Sequence, residues 1–249
     1  MNELSLFSGA GGGLLASKYL LGWRTLGYVE WEDYPQRVLA QRIEDGLLDE
    51  APIYGDIRTF ISEGYAEQYR GMVDVISGGP PCQPFSAAGK QLGADDPRNM
   101  WPATCDVIDI VKPPFVFLEN VAGIISCGYI GNILKGLAEI GYNAKWISLG
   151  GAVTGSVSNG ERFWLVASKA DRSVLESVDF QKYLTPYSEK SSRRQRSRAI
   201  RAALSQGGYA RVKLNPDEVA QGMEQLKAIG NGQDPIVAAT AWQILTEGL

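Results

Sequence analysis

Cys82 and Glu119 are the residues of this sequence with the clearest capacity for chemistry. Ahead of Cys82, an apolar run (Val73, Val75, Ile76) reads as a short buried strand, and Gly78, Gly79, Pro80 and Pro81 end it. A thiol on a proline-stiffened loop at the carboxyl end of a parallel strand sits where an open α/β sheet presents reactive groups. The polar neighbours Gln83 and Ser86 suit an exposed loop. The competing reading of any lone cysteine is a small buried hydrophobe. Glu119 closes a second apolar strand, residues 115–119 (FVFLE). A carboxylate ending a buried strand beside the cysteine loop is partly desolvated, which raises its pKa and makes it an acid near neutrality. The alternative is an exposed loop glutamate. The chain has no histidine, so proton transfer falls to carboxylate, lysine, tyrosine, thiol or water.

The elements that must position this pair begin at the N-terminus. Residues 3–7 (ELSLF) read as a strand, Ser8 to Gly13 as a glycine loop, and a helical pattern follows from Leu14. Strand, glycine loop and helix make the layout of a nucleotide-type cofactor site. Glycines let the backbone approach a ligand, and a tight β-α turn is the bland alternative. A second strand, residues 25–31, ends in Glu30-Trp31. A carboxylate there suits a pair of ribose hydroxyls, and the adjacent aromatic suits stacking on adenine, against the ordinary alternative of a solvated glutamate at a strand end. A third strand end carries Gly55-Asp56-Ile57, where Asp56 is placed to accept from an adenine amino group.

At 249 residues the chain can bury one sizeable core with a small second lobe. Hydrophobic residues make up 45% and charged residues 21%, ordinary for a soluble protein, and no apolar run is long enough to span a bilayer. The N-terminus lacks a secretory pattern. Three cysteines without CxxC spacing point to neither a disulfide framework nor a metal site, and a reducing, cytoplasmic setting is the simplest expectation. Net charge is −4, so a nucleic-acid protein would need its positive charge on one face. Arg193, Arg194, Arg196, Arg198 and Arg201 supply that concentration, and nine of 24 basic residues fall within 182–213, interleaved with tyrosines. A phosphate-contacting surface is the reading preferred over a solvated charge run.

The run Pro80-Pro81-Cys82-Gln83-Pro84-Phe85-Ser86 resembles the nucleophile loop of the DNA cytosine-5 methyltransferases. Phe117-Leu118-Glu119-Asn120-Val121 is similar to that family's Glu-Asn-Val segment, and Leu6 to Gly12 with Glu30-Trp31 and Asp56 to its S-adenosylmethionine (SAM) site. The resemblance implies a SAM-binding role for Phe7, Gly9, Gly11, Glu30, Trp31, Asp56, Ile57 and Pro80. Residues 226–237 resemble the closing motif, which implies one for Asn231, while Gln233 stands where a valine is usual. Asp96 and Arg98 match a further motif loosely. Ser158-Asn159-Gly160-Glu161-Arg162 lies where the family shows Gln-x-Arg-x-Arg, and only Arg162 is kept. Cys105 reads as core.

Taken together, these matches imply an α/β protein with a doubly wound, Rossmann-like SAM-dependent methyltransferase sheet ending in an antiparallel strand. Its expected organisation is a catalytic and SAM-binding domain at 1–169, a small basic target-recognition lobe at 170–222, and a segment at 223–249 that returns to the first domain. The implied activity is methylation of cytosine C5 in DNA, with Cys82 as nucleophile, Glu119 as acid partner and Arg162 beside them. Gln83, Ser86, Arg193, Arg194, Arg196 and Arg198 would contact DNA. The expected partner is double-stranded DNA, with a cognate restriction endonuclease as companion, no membrane and no metal. A monomer is expected. Two readings stand beside it: a tRNA cytosine-5 methyltransferase, and a catalytically impaired DNA- or SAM-binding protein.

Overall fold

A computed structural model describes residues 1–81, 99–151, 160–169, 176–177, 224, 232–247 and 249. In chain order these form β1 (Asn2–Leu6), a short α1 (Gly12–Leu15) running on as a π-helical turn (Ala16–Leu20), β2 (Arg24–Val29) and α2 (Asp33–Glu44). Next come β3 (Ile53–Tyr54), α3 (Ile57–Ser62), α4 (Tyr65–Gln68), β4 (Val75–Gly78), α5 (Trp101–Val111) and β5 (Phe115–Val121). The described chain closes with α6 (Gly123–Ser126), α7 (Ile130–Glu139), β6 (Asn143–Gly150), β7 (Glu161–Ser168), β8 (Glu176–Ser177) and α8 (Pro235–Thr246).

The strands form one sheet in the order β3-β2-β1-β4-β5-β7-β6-β8. β1 to β5 pair in parallel, and β7 runs antiparallel to both β5 and β6. This is the doubly wound sheet with an antiparallel strand expected from the sequence. The two residues of β8 carry the sheet past residue 169.

Side chains alternate across the sheet, and both faces are covered. Leu4, Leu6, Ile76, Val116, Leu118, Phe163 and Leu165 enter one core with α5 and α7. Val75, Phe117, Ile147, Leu149, Trp164 and Val166 enter the other, closed by α8 and by Trp23. Trp242 of α8 packs edge-on to Trp23 with ring centroids 4.7 Å apart, so the closing helix is anchored on the first β-α unit. Asp234 caps α8 by accepting from the Ile236 and Val237 N–H groups, and Pro235 occupies its first turn. Cys105 is packed against the first core, and burial pushes its thiol up to about 11, as its apolar setting predicts.

Several boundaries differ from the sequence reading. β2 ends at Val29, leaving Glu30 and Trp31 just beyond it. Asp56 does not end a strand but caps α3, its Oδ1 accepting from the Arg58 N–H at 2.9 Å. A short polar side chain competes well for that position, and β3 stops two residues before it.

Candidate active site

Register places the site. Leu6 pairs with Val29 and with Gly78, and Gly78 pairs with Leu118. The residues that follow, Phe7, Glu30, Gly79 and Glu119, therefore stand side by side along the carboxyl edge of the sheet. That edge is where parallel α/β sheets bind ligands. Odd-numbered positions of β5 face α8, so Glu119 points to the same side as Phe117, toward the closing segment.

At the β2 side the backbone turns sharply. Phe7 has φ 52°, one of two non-glycine residues in the left-handed region among the described residues. A non-glycine residue held there costs on the order of 1–3 kcal/mol, and such positions cluster at binding sites. Gly11, at φ 90°, opens α1, where only glycine is unstrained. Gly11 otherwise faces Leu39, Leu48 and Leu14, so it serves the turn and the packing beneath the loop. The Gly9 N–H donates to Glu30 Oε2 at 2.7 Å and the Glu32 N–H to Oε1 at 2.8 Å. Glu30 is buried, and burial raises its carboxyl pKa despite these donors.

Beside it lies a cleft of about 280 Å³ lined by Phe7, Trp31, Asp56, Ile57, Pro81 and Met100. Its walls are apolar and aromatic. Trp31, which lines it, is 68% exposed. A flat heteroaromatic ring fits such walls, with Asp56 at one end, and the fixed Glu30 carboxylate suits a pair of hydroxyls. Pro81 lines this cleft, whereas Pro80 is buried with its carbonyl accepting from Asn120 Nδ2 at 3.0 Å. Asn120 was legible only as the middle of Glu-Asn-Val. Its amide fixes the start of the cysteine loop to β5.

At the β5 side, Glu119 sits opposite Trp164 on β7, and Arg162 is two residues along on the same face. Arg162 Nε lies 3.0 Å from Glu119 Oε1, with the arginine side chain 31% exposed and the glutamate 12%. Burial pushes the Glu119 carboxyl up to about 7, while the Arg162 cation and a hydrogen bond from the Gln233 side chain oppose the rise. Gly160, which replaces an expected arginine, gives the surviving one room. A Cβ at that position would lie 2.8 Å from Arg162 Nη1.

A second cavity joins the two sides, bounded by the glycine loop, Ser77, Glu119 and Gln233. Beneath it Glu3 is buried and accepts from the hydroxyls of Ser17, Thr25 and Ser77. The sequence reading passed over this cluster, although an acid inside the apolar run ELSLF was its signal. Cys82, Gln83, Ser86, Asp96, Arg98, Asn231, Arg193, Arg194, Arg196 and Arg198 lie outside the described residues.

Comparison with known proteins places the whole assembly. The family model described as C-5 cytosine-specific DNA methylase matches residues 1–226. The chain belongs to that family. Among its relatives, the type II methyltransferase M.NgoMIV of Neisseria gonorrhoeae is 33% identical over 191 residues, covering 76% of this chain and 56% of that protein. M.NaeI of Lentzea aerocolonigenes is 42% identical over 98 residues, covering 38% and 24%. The chain thus spans about half or less of the length of these methylases. A solved DNMT2 structure from Spodoptera frugiperda superposes with a TM-score of 0.56 at 22% identity, covering 71% of this chain and 54% of that one, which supports the methylase fold.

Proposed function

We propose that the protein is a DNA (cytosine-5) methyltransferase that moves a methyl group from SAM to C5 of a flipped cytosine through a covalent Cys82 adduct. The observation that carries this reading is Glu119: a buried carboxyl with pKa about 7, on the same strand-end row as the glycine that leads into the cysteine loop. Family membership supports it.

Phe7, Trp31, Asp56 and Ile57 would hold the adenine of SAM, and Glu30 its ribose, with the glycine loop beneath. When bound there, SAM supplies an electrophilic methyl group. The remaining chemistry belongs to this chain. The Cys82 thiolate adds to C6 of the base, and the protonated Glu119 carboxyl donates to N3, where the displaced electron density collects. The enamine so formed makes C5 the nucleophile for methyl transfer. Transfer of the C5 proton to water, expulsion of the thiolate and return of the N3 proton to Glu119 restore the aromatic ring. Asn120, by holding the Pro80 carbonyl, keeps the thiol's loop beside that acid. Arg162 fixes the carboxyl and lies where cytosine O2 or a phosphate could meet its remaining N–H groups. The target base must leave the stack, at a cost of about a few kcal/mol.

Residues 1–169 would then be the catalytic domain, 170–222 a small target-recognition lobe and 223–249 the returning segment, whose Trp242 contact with Trp23 fits that role. So short a basic lobe would read few base edges, giving a short or relaxed target in double-stranded DNA. Asn231 would complete the SAM pocket, while Gln83, Ser86 and the arginines at 193, 194, 196 and 198 would meet DNA. We place the enzyme in the cytoplasm as a monomer beside a cognate restriction endonuclease.

The test is base-resolution bisulfite sequencing of a mixed-sequence duplex after incubation with SAM, beside Cys82→Ser and with tRNA as a second acceptor. Protected duplex cytosines that vanish in the variant are expected. Protection of tRNA alone would move the substrate to RNA, and none on either would overturn the reading.

A further inference from the structure

Three glycines from two loops clear one slot, and a single residue of the closing segment, backbone and side chain, fills it. A methyl group at Gly13 would overlap Gln233 Oε1, and one at Gly12 would overlap the Gln233 carbonyl oxygen. At the far end a Cβ on Gly79 would lie 3.4 Å from Gln233 Nε2 and 3.0 Å from Glu119 Oε2. The amide thus runs from the glycine loop toward the reacting acid, with its oxygen at the loop and its NH2 group on the side of Glu119 Oε2, where it opposes the rise in the carboxyl's pKa.

Few other groups near Glu119 could do this. Among the described residues, Arg162 from β7 and Gln233 from the closing segment face Glu119, and the glycine loop brings no charged side chain to it. The other nearby acids are engaged elsewhere. Asp234 caps α8, Glu161 accepts from Ser148, and Glu3 accepts from its three hydroxyls near the opposite end of β1.

We infer that Gln233 is a positioning residue for the reaction, holding the Glu119 carboxyl against the glycine loop so that the acid is set only when the closing segment is seated. This rests on the methyltransferase reading for its catalytic meaning, though not for its geometry. Valine, the residue usual in the family at this place, could fill part of the slot but could not donate. Because the NH2 group bonds the charged carboxylate, losing it makes Glu119 hold its proton to higher pH.

The experiment titrates Glu119 directly in the full chain, by carbon NMR of labelled glutamate carboxyls assigned with Glu119→Gln. Gln233→Met keeps the length of the side chain and removes the donor. Its Glu119 midpoint should rise by about half a pH unit or more, and the alkaline limb of kcat/KM should move up by the same amount, with the KM for SAM within about twofold. Gly13→Ala, which displaces the amide from its other end, should move the midpoint the same way and serves if Gln233→Met does not fold. A midpoint unchanged in the folded variants overturns the inference, whatever their activity. A shifted midpoint in a protein that methylates nothing would leave the inference standing and overturn the proposed reaction instead.

Discussion

Glu30 and Glu119 are two carboxylates in the same row at the edge of one sheet, the first buried and the second nearly so, and burial raises the pKa of both. They differ in what holds them. Glu30 accepts from two backbone N–H groups, which cannot leave without unmaking the loop. Among the described residues, Glu119 is held by side chains, Arg162 and Gln233, that come from a different strand and from the far end of the chain. Backbone donors make a fixed acceptor suited to binding. Side-chain donors can be balanced against burial, and they leave a carboxyl poised near neutrality, suited to giving and taking a proton.

The comparison breaks most visibly at Glu119. Glu119→Gln should lower methyl transfer by about 10²–10⁴-fold while SAM affinity, measured by calorimetry, stays within about twofold. Near-normal turnover would remove Glu119 from the chemistry. Glu30→Gln should do the reverse: replacing an anionic acceptor bonded to two N–H groups should weaken SAM binding by about tenfold or more, with kcat at saturating SAM changed little. A variant with weak kcat and intact affinity would erase the distinction between the two acids.

The pH dependence sharpens it. The folded pKa of Glu119, about 7, lies above an ordinary 4.5, so its contribution to stability is fully present below 4.5 and is lost as pH rises through about 7. Over that window the wild-type melting temperature should fall relative to Glu119→Gln, by an amount worth on the order of a few kcal/mol. Parallel melting curves would show the carboxyl to be unperturbed. Activity needs the protonated form, so kcat/KM should decline above about pH 7. Arg162→Met removes the cation that opposes the rise, and that decline should move up by about half a unit to one unit. The smallest effect belongs to Gly160→Ala. Its Cβ meets only the movable end of Arg162, so turnover should change by less than about threefold, about 0.6 kcal/mol.

Much of this arrangement was legible in the sequence, because apolar strands ended by glycines or acids report on the edge they share. The strands at 3–7 and 115–119 and the acids at 30 and 119 followed from period and punctuation, and the doubly wound sheet with its antiparallel strand from the family resemblance. What was not legible depended on distant partners. Gln233 read only as a departure from valine, since its slot is made by glycines at 12, 13 and 79. Gly160 read as a loss, since the space it leaves for Arg162 exists only once β7 lies against β5. The left-handed Phe7 carried no signal at all, because nothing in a phenylalanine advertises a positive φ.

The slot filled by Gln233 also sets an order in time. Its walls, Gly12 and Gly13, are synthesised some 220 positions before the residue that fills it. At about 5–20 residues per second, the glycine loop waits on the order of 10–45 s for its last component to leave the ribosome. Until then the nascent chain holds a glycine loop with no amide in it and an acid without the Gln233 side chain beside it. The packed arrangement at Glu119 can therefore form only after translation has passed residue 233, however early the glycine loop is made.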